Sequence, residues 1–83
     1  MKQAFYFTAA WCGPCRMIKP KIEALKSQGL PIQIIDVDQA PSQAQTLGIR
    51  NVPTIILMED GAEKQRMIGN NINTETIKQF FNK

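Results

Sequence analysis

The chain has 83 residues, with 10 Lys+Arg, 7 Asp+Glu, no His and two Cys, and its formal net charge is +3. This length predicts one domain over residues 1–83. The absence of histidine excludes Ser-His-Asp triads, Cys-His nucleophile pairs and histidine metal ligands. Two cysteines supply only half of a tetrahedral zinc site, so we predict no metal and no cofactor.

Charge and hydropathy limit the possible binding partners and the possible cellular compartment. No apolar run approaches the ~20 residues of a membrane span, and the short start of the chain leads directly into Trp11 without a secretory apolar segment. We therefore expect a cytoplasmic, monomeric protein that binds no membrane. The lysines at 19, 21 and 26 are interrupted by Glu23, which is typical of solvated helix surface rather than of nucleic-acid binding.

The first half of the chain predicts a strand, a helix and a second strand. Residues 4–8 are aromatic and β-prone, with Phe5 and Phe7 on one face and Tyr6 on the other. A helix then runs to about Gln28, and Pro20 should kink it because proline lacks the N–H and crowds the preceding turn. The apolar stripe of this helix comprises Ile18, Ile22 and Leu25. The strand at 32–37 directs isoleucines to both faces, which is typical of a parallel strand covered on both sides.

The second half predicts a short helix, a hairpin and a last helix. Residues 42–47 form the short helix, which Gly48 ends. Strands at 54–58 and 62–68 flank Asp60-Gly61, a dipeptide typical of tight hairpins. Gly69 interrupts the second of these strands, and Asn73 can cap the last helix. The apolar face of that helix is Ile77, Phe80 and Phe81.

The order β-α-β-α-β-β-α predicts an α/β fold with a four-stranded mixed sheet and helices on both faces. The first two strands should be parallel, because a helix connects them, and the last two antiparallel. Loops at the carboxyl ends of parallel strands gather the chemistry of such sheets. Cys12 lies on the first of these loops, which favours a functional thiol pair.

Cys12 and Cys15 stand at positions i and i+3 at the start of a predicted helix. Side chains at this spacing are neighbours, and the helix N-terminus favours the thiolate, which is the species that attacks disulfides. Cys12 is nearest the helix start and the exposed loop, so we predict that it attacks and that Cys15 resolves the mixed disulfide. Pro14 suits the first helical turn, and Gly13 lets a partner's backbone approach.

Two other uses of the cysteines stay open. One is a structural disulfide, although closing so short a loop stabilises a protein by only about 2 kcal/mol. The other is zinc or an iron–sulfur cluster shared between two chains. A c-type haem would need histidine after the second cysteine, where this chain has Arg16.

The string Trp11-Cys12-Gly13-Pro14-Cys15 resembles the thioredoxin family. Further resemblance lies at 16–20, 36–39, 48–54, 60–61 and 69, so that it covers the chain from about residue 4 to residue 81. It implies a thioredoxin-like fold and the reduction of disulfides in client proteins. It also implies recycling by a flavin-dependent thioredoxin reductase or a similar electron donor.

The resemblance assigns roles to residues around the cysteines. Pro53 would follow a cis peptide bond, and the Val52 backbone would pair with an extended client segment. Trp11, Val52 and Gly69 would form an apolar rim around Cys12. The alternatives are a core aromatic for Trp11 and an ordinary turn proline for Pro53.

The chain departs from the family pattern in size and in one buried ion pair. It resembles a glutaredoxin-sized thioredoxin that lacks the N-terminal strand and helix. Tyr6 stands where the family usually buries an aspartate, and Ile34 where it places the partner lysine. How Cys15 loses its proton is thereby left open, because Tyr6 is either a proton relay through water or a strand aromatic in the core.

Two other functions compete with the reductase. A glutaredoxin would be recycled by glutathione, but such proteins commonly carry an acidic residue near 69–71 and Pro-Tyr between the cysteines, and this chain has neither. A docking subunit of a larger enzyme would use the rim around Cys12 with incidental redox activity.

Overall fold

The computed structural model describes all residues from Met1 to Lys83. Its elements are β1 (Lys2–Thr8), α1 (Gly13–Ser27), β2 (Ile32–Asp36), α2 (Pro41–Thr46), β3 (Thr54–Glu59), β4 (Ala62–Ile68) and α3 (Thr74–Asn82), with a 3-10 turn at Gly69–Asn71 before α3. The predicted order is confirmed. β1 begins earlier than predicted because Lys2 and Gln3 lie opposite Glu59 and Met58 of β3, a pairing between distant segments that composition does not reveal.

The four strands form one mixed sheet in the order β2-β1-β3-β4. β1 and β2 are parallel, whereas β3 is antiparallel to both of its neighbours. The register places Thr8 opposite Asp36 and Phe7 opposite Thr54. At one edge of the sheet, therefore, the ends of β1 and β2 meet the start of β3. The loop that leads to Cys12 leaves β1 at this edge.

Helices cover both faces of the sheet, as predicted. Tyr6 lies on the face that packs against α1 and α3, and Phe7 lies on the face that packs against α2. The first core cluster comprises Ala4, Tyr6, Ile22, Leu25, Ile32, Ile55, Leu57, Met67 and Ile77. The second comprises Phe7, Ile35, Ala44, Ile56 and Met58. The alternation of β1 side chains between two cores shows why a β-strand of this composition is apolar on both sides.

Local signals define the ends of α1. Its N-cap is Cys12, Pro14 lies in the first turn, and the helix continues through the exposed Pro20 to Ser27. The chain then leaves the helix through Gly29, whose φ of 98° lies in the left-handed region that favours glycine. No helix combines the length and the apolar character needed to cross a bilayer.

Arg66 on β4 connects the sheet to the loop that leads from α2 into β3. Its guanidinium donates to the carbonyl oxygens of Leu47 at 2.7 Å and Gly48 at 3.3 Å. It also binds the Glu63 carboxylate at 2.8 and 2.9 Å, which lowers the pKa of that carboxyl. The Leu47 and Gly48 carbonyls stand at the end of α2, where no further helical N–H follows to satisfy them.

We expect Arg66→Met to lower the free energy of unfolding by about 1–2 kcal/mol, because it leaves these carbonyls without their donor while keeping an apolar stem of similar length. Urea denaturation at neutral pH measures the change. Glu63→Gln is the matched control: it removes only an exposed ion pair and should cost less than about 1 kcal/mol. Equal losses in the two variants would show that the ion pair, rather than the loop carbonyls, accounts for the effect.

Candidate active site

Cys12 and Cys15 are joined by a disulfide at the start of α1, with their Cα atoms 5.3 Å apart. Cys12 is the N-cap residue, and its sulfur accepts a hydrogen bond from the backbone N–H of Cys15 at 3.2 Å. The free N–H groups and the partial positive charge of a helix N-terminus stabilise a negative charge on the atom that caps it. The Cys12 sulfur is therefore the better placed of the two to exist as a thiolate.

Both cysteines are buried, with exposed fractions of 4% for Cys12 and 2% for Cys15. The preceding loop is exposed at Ala10 and Trp11, but Cys12 itself is not. Ala9 packs with the pair, and Val37 and Val52 lie against it from two other loops, so that little of either sulfur reaches solvent. Position at the helix terminus, more than exposure, distinguishes the two thiols.

Trp11 is exposed beside the disulfide and is held by Asp38. Two thirds of the Trp11 side chain is accessible (66%), which excludes a core aromatic. Its indole Nε1–H donates to a carboxylate oxygen of Asp38 at 2.8 Å. Asp38 lies two residues after the end of β2 and was assigned no role from the sequence, although its position near the ends of β1 and β2 was a signal.

A groove of about 260 Å³ runs beside Trp11, and we call it the Trp11 groove. It is lined by Trp11, Val37, Ile49, Arg50, Asn51 and Val52. The structure therefore brings Trp11 and Val52 together, and Val52 contacts both the groove and the cysteine cluster. Val37 and Ile49 are groove residues that the sequence reasoning did not single out.

Pro53 directly follows the groove residue Val52 in the chain and is hydrogen-bonded to Gly69. The Val52–Pro53 peptide bond is cis, and Pro53 is buried. The Gly69 N–H donates to the Pro53 carbonyl at 2.9 Å, so Gly69 lies next to this loop, although it does not line the groove. Gly13 and Pro14 are exposed between the two cysteines.

A second cavity, of about 240 Å³, reaches Cys15, and we call it the Cys15 cavity. It is lined by Thr8, Ala9, Ala10, Cys15, Arg16, Lys19 and Asp36. It shares no lining residue with the Trp11 groove. A larger depression, of about 440 Å³, contains neither cysteine and lies between α3 and the opposite ends of the strands.

The thioredoxin family model matches residues 3–83 of this chain. The chain belongs to the thioredoxin family. It is 44% identical over 66 residues to a thioredoxin of Chlamydia muridarum, an alignment that covers 76% of this chain and 64% of that relative. The chain thus spans slightly less than two thirds of the length of this curated thioredoxin.

Solved thioredoxin structures have the same fold. The thioredoxin of Fasciola hepatica superposes with a TM-score of 0.83 at 32% identity, covering 98% of this chain and 79% of that one. The thioredoxin of Nicotiana alata gives a TM-score of 0.83 at 32% identity, covering 98% and 71%. These comparisons confirm the family and the fold that the residues around Cys12 indicate.

Tyr6, at the position where the thioredoxin family usually buries an aspartate, lies in the core. It is fully buried, and its hydroxyl makes no hydrogen bond. Burial raises the pKa of Tyr6; the nearby Thr8 hydroxyl opposes this shift and the Glu23 carboxylate adds to it. Tyr6 belongs to the core cluster that Ile34 packs against, and it does not line the Cys15 cavity. The structure therefore does not bring the Tyr6 hydroxyl into the space that Cys15 faces.

We expect Tyr6→Phe to raise the free energy of unfolding by about 1 kcal/mol at neutral pH, because it removes a buried hydroxyl without a partner. The difference in free energy of unfolding between Tyr6→Phe and the wild-type protein should grow above pH ~10. There the unfolded wild-type chain ionises its tyrosine while the folded state, whose pKa is raised, stays neutral, so wild-type stability falls.

Denaturant unfolding of both proteins at neutral and alkaline pH measures this difference. Tyr6 is the single tyrosine, so an absorbance titration of the folded and unfolded wild-type protein reports its ionisation directly. Loss of stability in Tyr6→Phe at neutral pH would mean that the hydroxyl is hydrogen-bonded in solution.

Proposed function

We propose that this protein is a thiol–disulfide oxidoreductase that reduces disulfides in client proteins, and that residues 1–83 act as a single thioredoxin-like domain. The observation that carries the proposal is the Cys12–Cys15 disulfide at the N-terminus of α1, with Cys12 as the helix cap. A buried structural bridge would need neither the helix terminus nor an apolar groove beside it. The membership of the chain in the thioredoxin family supports the same function.

The reaction proceeds in two exchanges. The Cys12 thiolate attacks one sulfur of the client disulfide, forming a mixed disulfide and releasing the other client sulfur as a thiolate. Cys15 then loses its proton and attacks the Cys12 sulfur, which forms the Cys12–Cys15 disulfide and releases the second client thiolate. Two electrons pass to the client, and the two client thiolates take protons from solvent.

Client recognition uses the surface around Cys12. Trp11 and Val52 present apolar surface in the Trp11 groove, which we from here on call the client groove. The exposed Gly13 and Pro14 leave the approach to Cys12 open. The Val52 backbone pairs with an extended client segment by strand-like hydrogen bonds, which tolerate many sequences. Gly69 supports this loop through Pro53.

The oxidised protein is recycled by a flavin-dependent thioredoxin reductase or a similar donor, and it works as a cytoplasmic monomer. The protein needs no cofactor of its own, because the electrons reside in the thiols. A docking subunit with incidental redox activity would instead keep its biological role in a Cys12→Ser, Cys15→Ser double variant.

A turnover assay tests the proposal. Insulin is the client, and NADPH oxidation is followed with a flavin-dependent thioredoxin reductase in one arm, and with glutathione and glutathione reductase in the other. We expect turnover in the first arm and little in the second. Turnover supported only by glutathione would identify a glutaredoxin, and failure to reduce insulin in either arm would overturn the proposed activity.

A further inference from the structure

The Cys15 cavity gives the resolving thiol its own polar surroundings, separate from the client groove. Cys15 lines this cavity together with one carboxylate, that of Asp36, whereas neither cysteine lines the client groove. A client held on Cys12 in the groove would therefore leave the Cys15 cavity open. Its volume of about 240 Å³ has room for several water molecules, each of which takes about 30 Å³ in the liquid.

Asp36 is placed to serve this cavity by the register of the parallel strands. It is the last residue of β2 and lies opposite Thr8. Thr8 is the last residue of β1 and directly precedes the loop that leads to Cys12. It is half-buried, and its Oδ1 accepts the backbone N–H of Asp38 at 2.8 Å. This bond orients the carboxylate and leaves its second oxygen available to a water in the cavity.

We propose that Asp36 accepts, through a water in the Cys15 cavity, the proton that Cys15 loses when it resolves the mixed disulfide. This step rests on the proposed function. The proton passes from the Cys15 sulfur to water and on to the Asp36 carboxylate, while the Cys15 sulfur forms a bond to the Cys12 sulfur and the bond from Cys12 to the client sulfur breaks. Asp36 then releases the proton to solvent at the mouth of the cavity.

The charged groups near Cys15 suggest a competing hypothesis, in which their charge alone governs how readily Cys15 becomes a thiolate. Arg16 and Lys19 line the same cavity, and Lys19 lies one helical turn after Cys15. Asp38 is the other carboxylate nearby, but it binds the Trp11 indole. If charge alone governed Cys15, removing the Asp36 carboxylate would favour the thiolate and accelerate resolution. If Asp36 accepts the proton, removing it slows the same step.

The test isolates the second exchange with a small reagent, so that client binding plays no part. The reduced protein is mixed at acid pH with dithiodipyridine, which forms a mixed disulfide on Cys12 and releases one thiopyridone. A stopped-flow jump to neutral pH then starts attack by Cys15, and the second thiopyridone reports its rate. We expect Asp36→Asn to slow this second release about tenfold and to leave the first unchanged.

Rescue and a matched control separate proton transfer from a structural role. Added acetate or imidazole should accelerate the second release in Asp36→Asn and have little effect on the wild-type protein. Asp60→Asn makes the same change of charge at the β3–β4 turn and should resolve at the wild-type rate. Lys19→Gln should change the rate less than Asp36→Asn does.

Three results would overturn the assignment: an unchanged rate in Asp36→Asn, a faster rate, or a slower rate that no added base restores. Failure of the proposed function is a different result. In that case the wild-type protein would reduce insulin in neither arm of the turnover assay, whatever the rate at which it releases the second thiopyridone.

Discussion

A Cys15→Ser variant should accumulate a covalent complex with its client, whereas Cys12→Ser should form none. The Cys12 sulfur caps α1 and accepts the Cys15 N–H, so the first exchange is complete without a thiol at position 15. The mixed disulfide then persists because no internal thiol attacks it. Removing Cys12 removes the nucleophile itself and should lower turnover by about a thousandfold or more.

Each variant is mixed with excess insulin, and covalent complexes are detected on non-reducing gels and by mass spectrometry. The Cys12→Ser, Cys15→Ser double variant is the control, because any complex it forms is not a disulfide of the active site. Both single variants should be inactive in steady-state turnover, so the trapped complex is the informative signal. A complex formed by Cys12→Ser and not by Cys15→Ser would reverse the assigned roles.

Trp11→Ala should lower kcat/KM for protein clients by about tenfold, which corresponds to about 1.4 kcal/mol of lost transition-state binding. Trp11 is the largest apolar side chain in the client groove, and Asp38 holds it in one orientation before a client arrives. The kcat/KM for reduction of a small aromatic disulfide should fall much less, because such a reagent covers little of the groove. The stability of the fold should be nearly unchanged, since 66% of the side chain is exposed.

Met17→Ala is the matched control for this variant. Met17 is a large apolar side chain exposed on the first turns of α1, at 75%, and it does not line the client groove. We expect wild-type kcat/KM from it with both substrates. Equal losses in Trp11→Ala and Met17→Ala, or an equal loss of small-disulfide reduction in Trp11→Ala, would contradict recognition through the groove.

Most of the fold could be predicted because its signals are local. Asn73 caps α3 as its position indicated, accepting hydrogen bonds from the backbone N–H groups of Glu75 and Thr76. Asp60 and Gly61 adopt φ values of 53° and 83° in the hairpin turn, a conformation that this dipeptide favours. The apolar stripe of α1 is also confirmed, since Ile22 and Leu25 are buried in the core.

The active site was predicted less completely because its contacts join distant segments. The WCGPC string indicated the redox pair and its place at a helix start. It did not indicate that both sulfurs are buried, because Val37 and Val52 approach them from loops far along the chain. The bond between Trp11 and Asp38 spans 27 residues and depends on the parallel pairing of β1 with β2.

The sequence by itself therefore determined the order of the elements, the helix caps and turns, and the chemistry available to a chain with two thiols and no histidine. These features depend on residues that are neighbours along the chain. Only the tertiary structure decided that Tyr6 faces the core rather than the Cys15 cavity, and that Asp36 lines that cavity. The reason is strand register: the side chains of a strand alternate between its faces, and the register decides which distant residue each end of the strand meets.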